Sequence, residues 1–179
     1  MAGTTNYNRC GEEIESLLKL QTAPVSVKML QSEKEIPESA FRPVRHKGYH
    51  YAQCQAFALS RRDRLTVAML QEDNWCPAPL IAYGLVPFPE KDAAAQSNPY
   101  DHFAYGKYIG ILTAPMQTAD FLPDVILIYL NTNQLRHALL SLKEEERPLV
   151  KTNLFPFSCA WSVTSPIIHN EYWVNLPDP

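Results

Sequence analysis

Apolar residues recur along this chain in two rhythms. Residues 11–20 carry Ile14, Leu17 and Leu18 at helical spacing, with Glu12, Glu13 and Glu15 early. They predict an amphipathic helix with acids near its positive end. After Pro24, the alternation in Val25-Ser26-Val27-Lys28-Met29-Leu30 predicts a strand. Residues 31–48 are polar, contain Pro37 and Pro43, and read as a loop with a short turn of helix. Tyr51, Cys54, Phe57 and Ala58 return to helical spacing. They predict a helix over 50–60 with Cys54 on its apolar face, followed by a turn at Arg61-Arg62-Asp63.

Residues 65–70 read as a strand, and 77–85 as a short helix with Pro77 in its first turn. Pro87 and Pro89 stop that helix; residues 91–103 read as helical, and Tyr108-Ile109-Gly110-Ile111-Leu112 as a strand. The strongest unit spans 124–147. Pro123 leads into a solid apolar run over 125–130, Asn131-Thr132-Asn133 supplies an N-cap, and Leu135, Ala138, Leu139 and Leu142 form a helical stripe ended by Pro148. A fully apolar strand feeding an amphipathic helix predicts a strand buried in a sheet. Residues 149–155 and 171–176 are two further strands, with Cys159 between them. The expected fold is a single α+β domain over residues 1–179, a mixed β-sheet flanked by helices.

Composition narrows the function classes. With 179 residues, the chain can bury a sizeable core, and 46% hydrophobic with 20% charged residues is ordinary for a soluble protein. A formal net charge of -3 leaves no basic surplus, so nucleic acid is not expected as a partner. The longest apolar run is too short to span a bilayer, and the polar N-terminus lacks the apolar core of a secretory signal. The expected setting is cytoplasmic, without a membrane partner. Six glycines form no phosphate-cradling loop, and 15 prolines make a long bundle improbable. In a reducing compartment, four cysteines point to thiol, metal or catalytic use rather than disulfides.

Three of those cysteines carry the candidate chemistry. Cys76 sits in Asp73-Asn74-Trp75-Cys76-Pro77, just before a predicted helix, where a thiolate is favoured. Cys54 and Cys159 lie in two other segments. If the fold brings all three together, they can ligate iron or zinc; if it does not, they are small buried hydrophobes. A nucleophilic thiol would need a base such as His46, His50 or His102, and His50, four residues before Cys54, could share a helix face with it. Arg42, Arg45, His46 and Lys47 form a basic cluster able to receive a carboxylate or phosphate. Asn131, Thr132 and Asn133, where a strand passes into a helix, are a second anion-binding candidate. The C-terminal aromatics, among them Tyr100, Phe103, Tyr105, Phe155, Phe157, Trp161 and Trp173, read as core or as a cofactor lining.

An ordered set of segments resembles a known family. These are Ala23-Pro24-Val25-Ser26-Val27-Lys28, Cys54 after a basic stretch, Cys76-Pro77 with Gly84-Leu85 eight residues on, Ala119-Asp120-Phe121-Leu122-Pro123-Asp124-Val125, and Ser158-Cys159-Ala160. Together they are similar to the bacterial and archaeal family called domain of unknown function 169. The chain departs from that pattern at Ala78 and Pro79, where glycines often follow the family's Cys-Pro. Family members also usually continue past the last strand, so a C-terminal segment that contributes to the site or to an oligomer is expected to be missing. The resemblance implies a soluble prokaryotic protein with cysteines at matching positions, and no assigned activity.

The preferred expectation is a cytoplasmic redox or cofactor-binding protein whose Cys54, Cys76 and Cys159 hold a metal centre, iron–sulfur first and zinc as the alternative. It would take a small-molecule ligand or a redox partner. The competing expectation is a non-enzymatic binding module for a small anion, using Arg45, His46, Asn131, Thr132 and Asn133, with the cysteines buried. A cysteine-nucleophile enzyme is third.

Overall fold

The structure is a computed structural model that describes residues 2–87, 101–145, 148–153 and 158–176. The order of elements is α1 (Ala2–Leu18), β1 (Val25–Leu30), α2 (Pro43–Lys47), α3 (Gln53–Asp63), β2 (Val67–Leu70), α4 (Pro77–Ala82), β3 (Gly110–Pro115), β4 (Val125–Leu127), α5 (Thr132–Glu145), β5 (Val150–Asn153), α6 (Ser158–His169) and β6 (Tyr172–Asn175). A 3-10 turn, Gln71–Asp73, joins β2 to the Cys76 segment.

The architecture is α+β, with both senses of strand pairing kept apart. A four-stranded sheet runs β2-β3-β1-β4 with every neighbouring pair antiparallel, while β5 and β6 form a separate parallel pair. Strand alternation sorts the main sheet's two faces. Val25, Val27 and Met29 of β1, Val67 and Met69 of β2 and Ile111 of β3 face one way. They pack with Ala56 and Phe57 of α3, Ala78, Ala82 and Tyr83 around α4, and Ala160, Trp161 and Val163 of α6. The opposite face carries a smaller cluster, Leu30, Ala68, Leu70 and Leu112, covered by Ile36, Ala40 and Phe121.

Two glycines are required by close approach. At Gly110, the first residue of β3, a Cβ would strike the Met69 carbonyl and Leu70 of the neighbouring β2. Gly84 has φ +65°, and a Cβ there would meet the carbonyls of Phe103 and Ala104 at 2.6 Å. It ends α4 and lets residues 103–106 fold back onto it, with Phe103 N–H donating to Ala82 O at 3.0 Å.

Several elements differ from expectation. The first helix is longer at its start. Arg61-Arg62-Asp63 is not a turn but the last turn of α3, closed by Arg64 in the left-handed region at φ 59°. The apolar run 125–130 is not a buried strand. Only Val125–Leu127 pairs, on one side, and these residues are half-buried because β4 is the sheet's edge and its outer flank borders a crevice. Of the helix read over 91–103, residues 91–100 lie outside the described residues, and 101–103 are not helical. Tyr100, Phe155 and Phe157 also lie outside them. Among the described residues, no helix is long and apolar enough to cross a membrane.

Candidate functional site

Each of the three cysteines stands at a helix beginning. Cys54 is the second residue of α3, Cys76 the N-cap of α4, and Cys159 the second residue of α6. The expected apolar setting of Cys54 does not hold: its side chain is exposed. Ala52 caps α3, so Tyr51 lies outside the helix and pairs with Asn74 instead. The buried face therefore runs through Gln53, Ala56, Phe57 and Ser60, one position out of phase with the apolar spacing. Polar groups on that face are held by partners that periodicity does not reveal. Gln53 Nε2 donates to the Cys159 carbonyl at 3.1 Å, and Ser60 and Thr113 share a hydroxyl hydrogen bond at 2.7 Å. Cys76 and Cys159 are half-buried at the margin of the core.

Two tyrosines tie the thiols to one neighbourhood. Burial, then the Cys159 thiol, pushes the Tyr83 hydroxyl well above the ordinary tyrosine range; Tyr129 and Cys76 add to this, and the neighbouring Gln53 amide opposes it. Burial also pushes Tyr129 up to about 12, opposed by Arg61 and reinforced by Cys159 and Cys54. Cys159 thus shares Tyr83 with Cys76 and Tyr129 with Cys54. Gln53 Oε1 and Tyr83 Oη are buried there without a hydrogen-bond partner among the described residues, so the Gln53 amide neighbours the hydroxyl without hydrogen-bond geometry. The thiols do not form a chelating set. Among the described residues, no group of three or more His, Cys, Asp or Glu side chains is placed to hold a metal ion.

The His50–Cys54 pairing dissolves for the same reason as the apolar face. His50 precedes α3, is exposed, and its Nδ1 lies 2.7 Å from the Glu72 carbonyl.

The two halves of the expected anion site are separated. Arg45 and His46 belong to α2, beside the β2 edge, where Phe41 pairs with Val67. Asn131, Thr132 and Asn133 follow β4, the opposite edge of the sheet. His46 is engaged locally: its Nδ1 accepts from Arg42 N–H at 2.8 Å, and its ring stacks on Phe41 at 5.5 Å. Arg42 is neutralised by buried Asp73 at 2.7 Å and by Glu72 at 2.6 Å. Asn131 is a capping residue. Its Oδ1 accepts from Gln134 N–H at 2.9 Å, and its own N–H donates to Gln134 Oε1 at 2.9 Å. Thr132 and Asn133 are exposed beside it.

A crevice of about 1340 Å³ opens along the β4 edge, walled by α1, α5 and the α6–β6 unit. Its apolar wall includes Leu18, Ile126, Ile128, Leu135 and Leu139, and Phe57, Arg61, Tyr129 and Cys159 also line it. Arg61 lies with its guanidinium 4.2 Å from the centre of the Tyr129 ring. Burial lowers its pKa, and adjacent Arg62 lowers it further. Among the described residues no carboxylate forms an ion pair with it, whereas Arg42 has two such partners and Arg64 has one.

Arg61 and Tyr129 were not legible as site residues. Arg61 reads as a turn, and Tyr129 is hidden inside an aliphatic run; its one signal is that it interrupts that run with a hydroxyl.

Searches of curated proteins and of solved structures find no match. Residues 13–179 match the family model of domain of unknown function 169, described as "Uncharacterised ArCR". The match spans most of the chain, and the chain belongs to this family.

Proposed function

We propose that the protein binds a small organic anion in the crevice, with Arg61 as the anion's partner. The observation that supports this most is an arginine without a carboxylate partner among the described residues, partly withdrawn from water beside a cavity. Burying a cation is costly unless it is paired. The Tyr129 ring face offsets part of that cost, and an anion entering the crevice would offset the rest. In this reading the anion site is built by the last turn of α3 and the segment after β4, rather than by the loop-and-turn pair expected from sequence. Neighbouring Cys159 would face the bound molecule, and a cytoplasmic setting would keep that thiol reduced.

A titration with 8-anilinonaphthalene-1-sulfonate, a monoanion with apolar rings, tests this. Saturable binding that weakens about tenfold or more in Arg61→Met, in line with loss of a charge-assisted contact, is expected. An affinity unchanged by Arg61→Met, in protein that still unfolds cooperatively, contradicts it.

The shared tyrosine neighbours of Cys54, Cys76 and Cys159 favour a second reading, a thiolate-ligated iron–sulfur or zinc centre. It requires the first turns of α3 and α6 to shift and close the thiols on the metal. Anaerobic purification followed by metal and sulfide analysis decides it. Metal lost in Cys159→Ser and retained in Cys10→Ser supports the centre; wild-type protein that is colourless and metal-free after reconstitution removes it.

A further inference from the structure

We propose that the ligand of the crevice is an amphipathic monocarboxylate, with its carboxylate on Arg61 and its hydrocarbon part along α5. This rests on the anion reading above and adds the class of molecule. Three observations carry it. Arg61 is the one arginine or lysine among the described residues that line the crevice, so it balances one negative charge. Asp124 and Glu171 also line the crevice, and Asp124 holds its place by accepting from Met29 N–H at 2.7 Å. A dianion such as a phosphate monoester, carrying about -1.5 to -2 charges near neutral pH, would leave its surplus charge facing those carboxylates.

The third observation concerns α5. Its stripe, Leu135, Ala138, Leu139 and Leu142, lines the crevice, yet none of the described residues of this helix is buried. An amphipathic helix normally buries its stripe against the core. Here the stripe faces a volume above the roughly 300–1,000 Å³ usual for small-molecule pockets, with Ile126 and Ile128 across it. A hydrocarbon chain anchored at Arg61 would fill the part of that volume between α5 and β4. A purely polar anion would leave these side chains wet.

Calorimetric titration of the whole chain with acetate, decanoate and decanol tests the proposal. Decanoate should bind at least about a hundredfold more tightly than acetate, since each buried methylene is worth roughly a factor of four. It should also bind at least about tenfold more tightly than decanol, which lacks the charge. Arg61→Met should abolish the advantage over decanol, with Arg61→Lys retaining part of it. Ala138→Trp, which fills the crevice from the surface of α5, should reduce the advantage over acetate. Decanoate binding no tighter than acetate, while the sulfonate dye still binds through Arg61, overturns the amphipathic ligand and leaves the anion reading standing. Decanol binding as tightly as decanoate overturns both.

Discussion

Tyr129 shows how a single hydroxyl records its surroundings. Its folded pKa of about 12 lies above the ordinary tyrosine value near 10, so the folded state holds this proton more tightly than the unfolded chain does. The linked stability is fully present below about pH 10 and is lost as pH rises from there through 12. The shift corresponds to an alkaline loss on the order of 2–3 kcal/mol. Tyr129→Phe should flatten the fall in unfolding free energy between about pH 10 and 12, measured by denaturant titration at each pH; an alkaline limb as steep as that of the wild type would show that Tyr129 is not its source. Asp73 makes a second case. Fully buried, it pairs with Arg42 and accepts from the backbone N–H groups of Val44 and Leu70. Asp73→Ala strips all three and leaves the guanidinium without its buried partner, so it should cost roughly 3–5 kcal/mol in equilibrium unfolding. A cost below about 1 kcal/mol would mean that this pair does not fasten α2 to the β2 edge.

At the scale of elements, periodicity located β1, β2, α4 and β6 closely, because their patterns agree with the surfaces they meet. Val25, Val27 and Met29 face the helices, and the next residue, Leu30, faces the opposite cluster. Periodicity failed at α3 and β4 for physical reasons. The buried face of α3 carries Gln53 and Ser60, whose acceptable burial depends on partners 106 and 53 residues away. No local pattern announces such partners. β4 looks buried by composition, but composition cannot distinguish burial within a sheet from a position beside a crevice. The α5 start, by contrast, was legible as a cap. Its Gln134 side chain does two jobs, closing the capping box with Asn131 and donating from Nε2 to the Leu18 and Lys19 carbonyls at the end of α1. Asn131→Ala should therefore cost about 1 kcal/mol by thermal or denaturant unfolding and leave dye affinity unchanged. A drop in affinity at unchanged stability would give Asn131, which lines the crevice, a direct part in binding.

At the scale of the molecule, the cysteines were visible in the sequence as candidates and the crevice was not. Cys54, Cys76 and Cys159 come from three segments, and the sheet with its covering helices places them around Tyr83 and Tyr129. A crevice arises where α1, α5 and the α6–β6 unit wall the β4 edge without filling it, and no residue type marks such a gap in advance. Its polar anchor, Arg61, was concealed because the helix runs one turn further than expected. The measurement that tests this account most directly is a titration of isotopically labelled protein with decanoate, followed residue by residue in amide and arginine side-chain NMR correlation spectra. The account predicts that the Arg61 Nε signal shifts, together with amides of residues 126–131 and of α5 from 134 to 142, and that residues 42–47 stay still. Shifts confined to residues 42–47, or no shifts at all, would contradict it.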